Sequence, residues 1–131
     1  MTEKQQALFD LLQSQPNLSA VTSEDCICVS NDEGIDAFVY IGDKQIIAET
    51  ALFPADLVKD TGKLNEHILQ SHSIVPLTSV GLRRINDEDY YVAFGALSTD
   101  SKDEVIVEEI ETLFENVPEF IELYSEHFSS N

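Results

Sequence analysis

Apolar and polar residues change their period several times along this chain, and each change predicts an element. Ala7, Leu8, Leu11 and Leu12 recur at helical spacing. Ahead of them, Thr2-Glu3-Lys4-Gln5 matches a capping box with Thr2 as N-cap and Gln5 reaching back, and Pro16 ends the helix. Leu18 to Ser23 reads as a connector. Period two then takes over, with strands expected over Asp25 to Ser30 and Asp36 to Ile41, separated by an Asn31-Asp32-Glu33-Gly34 turn. In the second of these, Ala37, Val39 and Ile41 alternate with Asp36, Phe38 and Tyr40. Gly42-Asp43 is a hairpin signal leading into a third strand, Gln45 to Phe53.

Pro54 cannot donate to a ladder and closes that strand. Asp60 or Thr61 then caps a helix over Gly62 to Ser71, with Leu64, Ile68 and Leu69 facing inward. Pro76 separates it from a fourth strand, Thr78 to Ile85, and Asn86 to Asp89 turns the chain into a fifth, Tyr90 to Leu97. Gly95, inside that strand, points to a bulge or to a helix packed closely above it. A second capping box, Ser101-Lys102-Asp103-Glu104, opens a long helix from Ser101 to His127. Its apolar side carries Ile106, Ile110, Leu113, Phe114, Val117, Phe120, Ile121, Tyr124 and Phe128. Both stripes keep phase across Pro118, which implies a bent helix; the alternative is a break at Asn116.

The predicted order is α-β-β-β-α-β-β-α in a single domain. Strands joined by tight turns imply an α+β fold, a five-strand antiparallel sheet with helices packed on one side.

Charge narrows the partners. The chain has 25 Asp and Glu against 7 Lys and Arg, for a net −18, so it would repel nucleic acid and an anionic membrane. Hydrophobic residues at 43% exclude a wholly disordered acidic chain. MTEKQQALFDLL lacks the basic start and apolar run of a signal peptide, and no run is long enough to span a bilayer. Cys26 and Cys28 sit one residue apart, poorly placed to bridge each other and expected as buried strand thiols. A soluble, reduced, cytoplasmic protein is expected.

Candidate chemistry is sparse. His67 and His72 fall on different helix faces, and with His127 they read as solvent-exposed histidines. No metal and no cofactor are expected. Asn31 to Gly34 lacks the first ligand of a calcium loop, because Val29 stands there. Asp87, Glu88 and Asp89 lie in a solvated turn, without the burial that would separate the pKa values of a catalytic pair. The chain is expected not to be an enzyme.

Candidate partner-binding residues remain. Arg83 and Arg84, the only arginines, point to opposite faces of a strand, as do Tyr90 and Tyr91. One arginine is expected at the solvent, the other paired with an acid of the last helix or at an interface. Glu104, Glu108, Glu111, Glu115, Glu119, Glu122 and Glu126 form one stripe on the last helix, where residues 99–131 hold ten acids against Lys102 alone. Like charges at i,i+4 cost about 0.2–0.5 kcal/mol each. Beyond a solvated face, such a stripe could steer a basic partner. Tyr90, Tyr91, Arg83, Glu108, Glu111, Glu115 and Glu119 are therefore the candidate contacts with another protein.

The element order, size and acidity resemble the type III secretion chaperone fold, whose members are small acidic cytoplasmic proteins, often homodimers, that bind extended client segments. At residue level, Ile41 to Ser98 resembles the YjfI-type bacterial family of unknown function. The stretches that carry this are Leu52-Phe53-Pro54, Val58-Lys59-Asp60, Leu64-Asn65-Glu66, Val75-Pro76-Leu77-Thr78-Ser79 with Gly81, and Asp89-Tyr90-Tyr91 with Phe94-Gly95-Ala96-Leu97-Ser98. That family is similar to stress-associated proteins encoded beside phage-shock-type membrane-maintenance proteins, and it brings no catalytic residues. The resemblances imply a chaperone-like or regulatory protein-binding module tied to membrane stress, with a homodimer as one state. Two other readings are an acidic mimic that occupies a nucleic-acid-binding protein and a small-molecule sensor.

Overall fold

In the computed structural model, residues 2–23, 25–75 and 77–129 are described. The role expected of Pro76 lies outside them. The elements run α1 (Glu3–Gln13), β1 (Leu18–Thr22), β2 (Ile27–Asn31), β3 (Asp36–Ile41), β4 (Gln45–Pro54), α2 (Thr61–Ser71), β5 (Ser79–Ile85), β6 (Glu88–Ser98) and α3 (Asp103–Tyr124). The strands form one antiparallel sheet of six, ordered β1-β2-β3-β4-β6-β5. The α+β class holds, but the expected count of five strands is corrected to six.

The missed strand is β1, over the stretch expected as a connector. It is an edge strand whose one buried side chain is Ala20, so it carries no apolar alternation to reveal it. Its hold on β2 is through the backbone. Its outward edge is protected by α1, where Gln13 Oε1 accepts the Ala20 N–H at 2.9 Å.

One face of the sheet is the core. Ile27, Val29, Ala37, Val39, Ile46, Ala48, Tyr91, Ala93 and Val80 stand on it by cross-strand register, and each is buried. Against it pack Leu8 and Leu12 of α1, Leu64 and Ile68 of α2, and Ile106, Ile110, Leu113, Phe114 and Phe120 of α3. Fully burying one such side chain is worth about 1.5–3 kcal/mol. Leu69 of α2, expected inward, is instead 74% exposed. Ile121 also stands partly in solvent, because it lies at the margin of the apolar stripe.

A register shift between Ala51 and Phe53 lets β4 turn Phe53 inward. Its ring meets Tyr91 at 5.3 Å and Phe128 at 4.8 Å. The β5–β6 hairpin turns on Asn86 and Asp87, with φ of 50° and 66°, the left-handed pair that matches strand twist. Strand β6 accordingly starts at Glu88, earlier than expected.

The caps divide. The Thr2–Gln5 box forms, and Asp60 Oδ1 accepts the Lys63 N–H of α2. The second expected box does not form. Ser101 is still in the turn leaving β6, its N–H bound to the Ser98 carbonyl, and α3 starts at Asp103 behind Lys102 with no side-chain cap. Asp103 and Glu104 in the first turn offset the helix dipole instead. Helix α3 then runs unbroken through Pro118 to Tyr124, so the chain does not break at Asn116. Asn116 is buried and donates to Thr78 Oγ1 at 2.8 Å. The last turn, Ser125–His127, is tied to the segment after β4 by a Val58–Phe128 bridge and by Lys59 N–H to the His127 carbonyl.

Candidate functional site

The opposite face of the sheet follows from the same register. Val21, Cys28, Phe38, Tyr40, Ile47, Glu49, Val92, Phe94, Tyr90, Gly81 and Arg83 occupy it, and no described helix covers it. The three α-helices all lend their buried residues to the other side.

Arg83 organises this surface. It sits on edge strand β5 opposite Tyr90, yet its guanidinium reaches Glu49 on β4, with Nη1 2.6 Å from Oε1. The path crosses β6 at Val92, which is buried although it faces away from the helices. The guanidinium also lies 5.7 Å from the centre of the Tyr40 ring on β3. The expected partner on the last helix is thus replaced by an acid on the sheet. Arg84, on the other face of β5, binds Asp89 and the Asp87 carbonyl within its own hairpin.

Around Arg83 lies uncovered aromatic surface. Phe38 is 41% exposed, and Phe94 and Tyr40 are half-buried. Phe94 lies over Gly81, where an added Cβ would stand 3.3 Å from its Cε1. The glycine gives the ring its seat. Tyr90 completes the surface, its hydroxyl donating to Glu88 at 3.3 Å. The Glu88 charge is the main cause that raises the Tyr90 phenol.

Cys28 shares this face and is half-buried rather than buried, because no helix packs above it. Burial, then Asp36 and Cys26, push its thiol up, so it stays protonated and is a poor nucleophile.

The sequence-predicted contacts separate into three places. Tyr90 and Arg83 are neighbours on the helix-free face. Tyr91 is in the core at 1% exposure, its hydroxyl donating to Asn65 Oδ1 at 2.6 Å. Glu108, Glu111, Glu115 and Glu119 are all exposed on the solvent side of α3, beyond the helix layer. Glu111 and Glu115 line a cleft of about 430 Å³ with Asp32 and Glu33 of the β2–β3 turn, so the acidic surface continues past the helix.

The histidines also differ from expectation, since all three are half-buried and partnered. His72 Nε2 sits against the Val80 backbone, and His67 Nδ1 meets His127 Nε2 at 2.9 Å. Sixty positions separate that pair, and no motif spacing signals it.

A family model described as an uncharacterized protein conserved in bacteria, DUF2170, matches residues 3–128. The chain belongs to this family. It is 32% identical to the uncharacterized protein YjfI of Escherichia coli strain K12, over 97% of this chain and 98% of that protein. Among solved structures it is similar to YbjN from E. coli, at TM-score 0.68 and 16% identity over 93% of this chain and 91% of that one. It is also similar to a chain of the HopA1–SchA chaperone–effector complex, at TM-score 0.64 and 14% identity over 88% and 90%. A chain of the ExsC–ExsE complex matches at TM-score 0.64 and 12% identity over the whole of both. Both resemblances read from the sequence, to YjfI and to the secretion-chaperone fold, therefore hold.

Proposed function

We propose that this chain is a non-enzymatic protein-binding module that docks an extended segment, rich in apolar and basic residues, on the helix-free face of its sheet. The observation that carries the reading is the uncovered aromatic surface of Phe38, Tyr40 and Phe94 around the Arg83–Glu49 pair. An open sheet face presents rows of side chains that suit the alternating side chains of an extended peptide. A net charge of −18 favours a basic occupant, raising its rate of encounter. The likeness to chains solved in the chaperone–effector and ExsC–ExsE complexes supports the same class. The family resemblance extends the proposal to a cytoplasmic role in bacterial membrane stress. The acidic face of α3 favours a second reading, a surface that occupies a nucleic-acid-binding protein.

An array of extended peptides with alternating apolar and basic residues tests this. Phe38→Asp and Arg83→Glu should each weaken binding about tenfold or more while the fold, checked by circular dichroism, is retained. Binding untouched by both but lost when Glu108, Glu111, Glu115 and Glu119 become Lys would transfer the site to α3. A dimer that dissociates on Phe38→Asp, with no peptide bound, would give the face to a second copy of the chain.

A further inference from the structure

His67 of α2 meets Glu126 and His127 of the Ser125–His127 turn, away from the helix-free sheet face and at the last member of the glutamate stripe. Their ligand atoms all fall within 4.8 Å of one another. We propose that these three side chains form a binding site for a divalent first-row transition-metal ion, with the two imidazoles as principal ligands.

The donor set fits such an ion. Two neutral imidazole nitrogens and one carboxylate oxygen suit borderline metals, whereas Mg²⁺ and Ca²⁺ take oxygen cages. The spacing fits as well. With metal–nitrogen bonds of about 2.0–2.1 Å, two nitrogens at a right angle stand about 2.9 Å apart, and two at a tetrahedral angle about 3.4 Å. His67 Nδ1 and His127 Nε2 stand 2.9 Å apart. That separation is also an ordinary N–H···N hydrogen-bond length, so either angle is reached by small ring movements, and Cu²⁺ is favoured by the general affinity order of nitrogen donors. Without metal, the same nitrogens share one N–H···N hydrogen bond. The ion takes the place of that proton, which moves through solvent to the other nitrogen of the same ring, so both imidazoles bind as neutral ligands.

Both rings are held before any ion arrives. His67 stands edge-on to Tyr124 at 5.1 Å, and the Tyr124 hydroxyl is bound to Ser71 Oγ at 2.9 Å within the same helix pair. The backbone of His127 is fixed by the Lys59 N–H at 2.9 Å, and its neighbour Ser129 donates to the Leu57 carbonyl at 2.7 Å. Glu126 is exposed and reaches the site from solvent, leaving further coordination positions open to water or a ligand. Bound metal would join α2 to the end of the chain, so it would also stabilise the fold.

The untagged chain, titrated with Ni²⁺, Cu²⁺ and Zn²⁺ by calorimetry, tests the site. One ion per chain is expected, with Cu²⁺ the tightest. Affinity should fall about tenfold or more in His67→Asn and in His127→Asn, and should be unchanged in His72→Asn. Electron paramagnetic resonance of the Cu²⁺ form should show two imidazole nitrogens. That spectrum needs no substitution and decides the matter if a variant fails to fold. Lack of one-to-one binding, a spectrum without two nitrogens, or affinity that survives His67→Asn would overturn the proposal.

Discussion

Glu109 of α3 occupies the space that a side chain at Gly95 would fill. A Cβ built on Gly95 would collide with Glu109 Oε1 and stand 3.1 Å from its Cδ. The glycine in β6 is therefore a seat for a helix carboxylate, as the sequence reading of a close helix approach anticipated. The register shift in this pair of strands lies elsewhere, at Ala51/Phe53. Gly95→Ala has to swing the Glu109 carboxylate aside, the far end of a flexible side chain, and should cost about 1 kcal/mol or less. Glu109→Ala, which clears the space, should relieve much of that cost in the double variant. Urea unfolding of the four members of the cycle measures the coupling.

Glu109 also makes a pH signature. Burial, and after it the charge of Glu108, push its carboxyl above the ordinary range. A carboxyl raised in the folded state contributes stability that is complete below its unfolded pKa and is lost as pH rises through the folded one. Glu109→Gln should therefore melt higher than the wild type at pH 7. The gap should close as pH falls into the carboxylate range, and a gap that stayed constant would mean a change of packing only.

Tyr90 and Tyr91 are adjacent in sequence and should respond oppositely to loss of the hydroxyl. Tyr91→Phe leaves Asn65 without its 2.6 Å donor and should cost about 1–2 kcal/mol, while Tyr90→Phe should be neutral within about 0.5 kcal/mol. Burial, then Asp89, raise the Tyr91 phenol. Its contribution is thus complete below the usual tyrosine pKa of about 10 and lost as pH climbs through the higher folded value. Alkaline melts of the two variants check this.

Thr78 and Asn116 join α3 to the start of β5 in a buried hydrogen bond of 2.8 Å. Thr78→Val keeps the shape and removes this one hydrogen bond of the Asn116 amide. A loss of about 0.5–1.5 kcal/mol is expected in chemical denaturation.

Pro118 interrupts the backbone ladder of α3 without ending the helix. It is exposed, so its replacement disturbs no core packing. Pro118→Ala should restore an i→i−4 bond to the Phe114 carbonyl and raise stability by up to about 3 kcal/mol. A thermal melt with unchanged far-ultraviolet dichroism would confirm it.

Much of the architecture was legible from periodicity. β3 appears over the expected Asp36 to Ile41, and the apolar stripe from Ile106 to Tyr124 carries α3 through a proline because burial outweighs one lost backbone bond. The seven-glutamate stripe is fully outward, as a helical wheel requires. Less of the candidate site was legible. Alternation told Tyr90 from Tyr91 by face, but not which face the helices would cover.

The sequence by itself determined the local elements, the acidic surface and the family, because these depend on spacing and residue type within short windows. Only the tertiary structure decided four things. It made β1 a strand, since an edge is recruited by backbone pairing that leaves no apolar pattern. It laid Arg83 across β6 to Glu49, since register sets which strands a long side chain can reach. It left Phe38 and Phe94 uncovered, since all three helices chose the other face. And it brought His67 to His127, since chain-distant groups meet only when α2 and the final turn pack together.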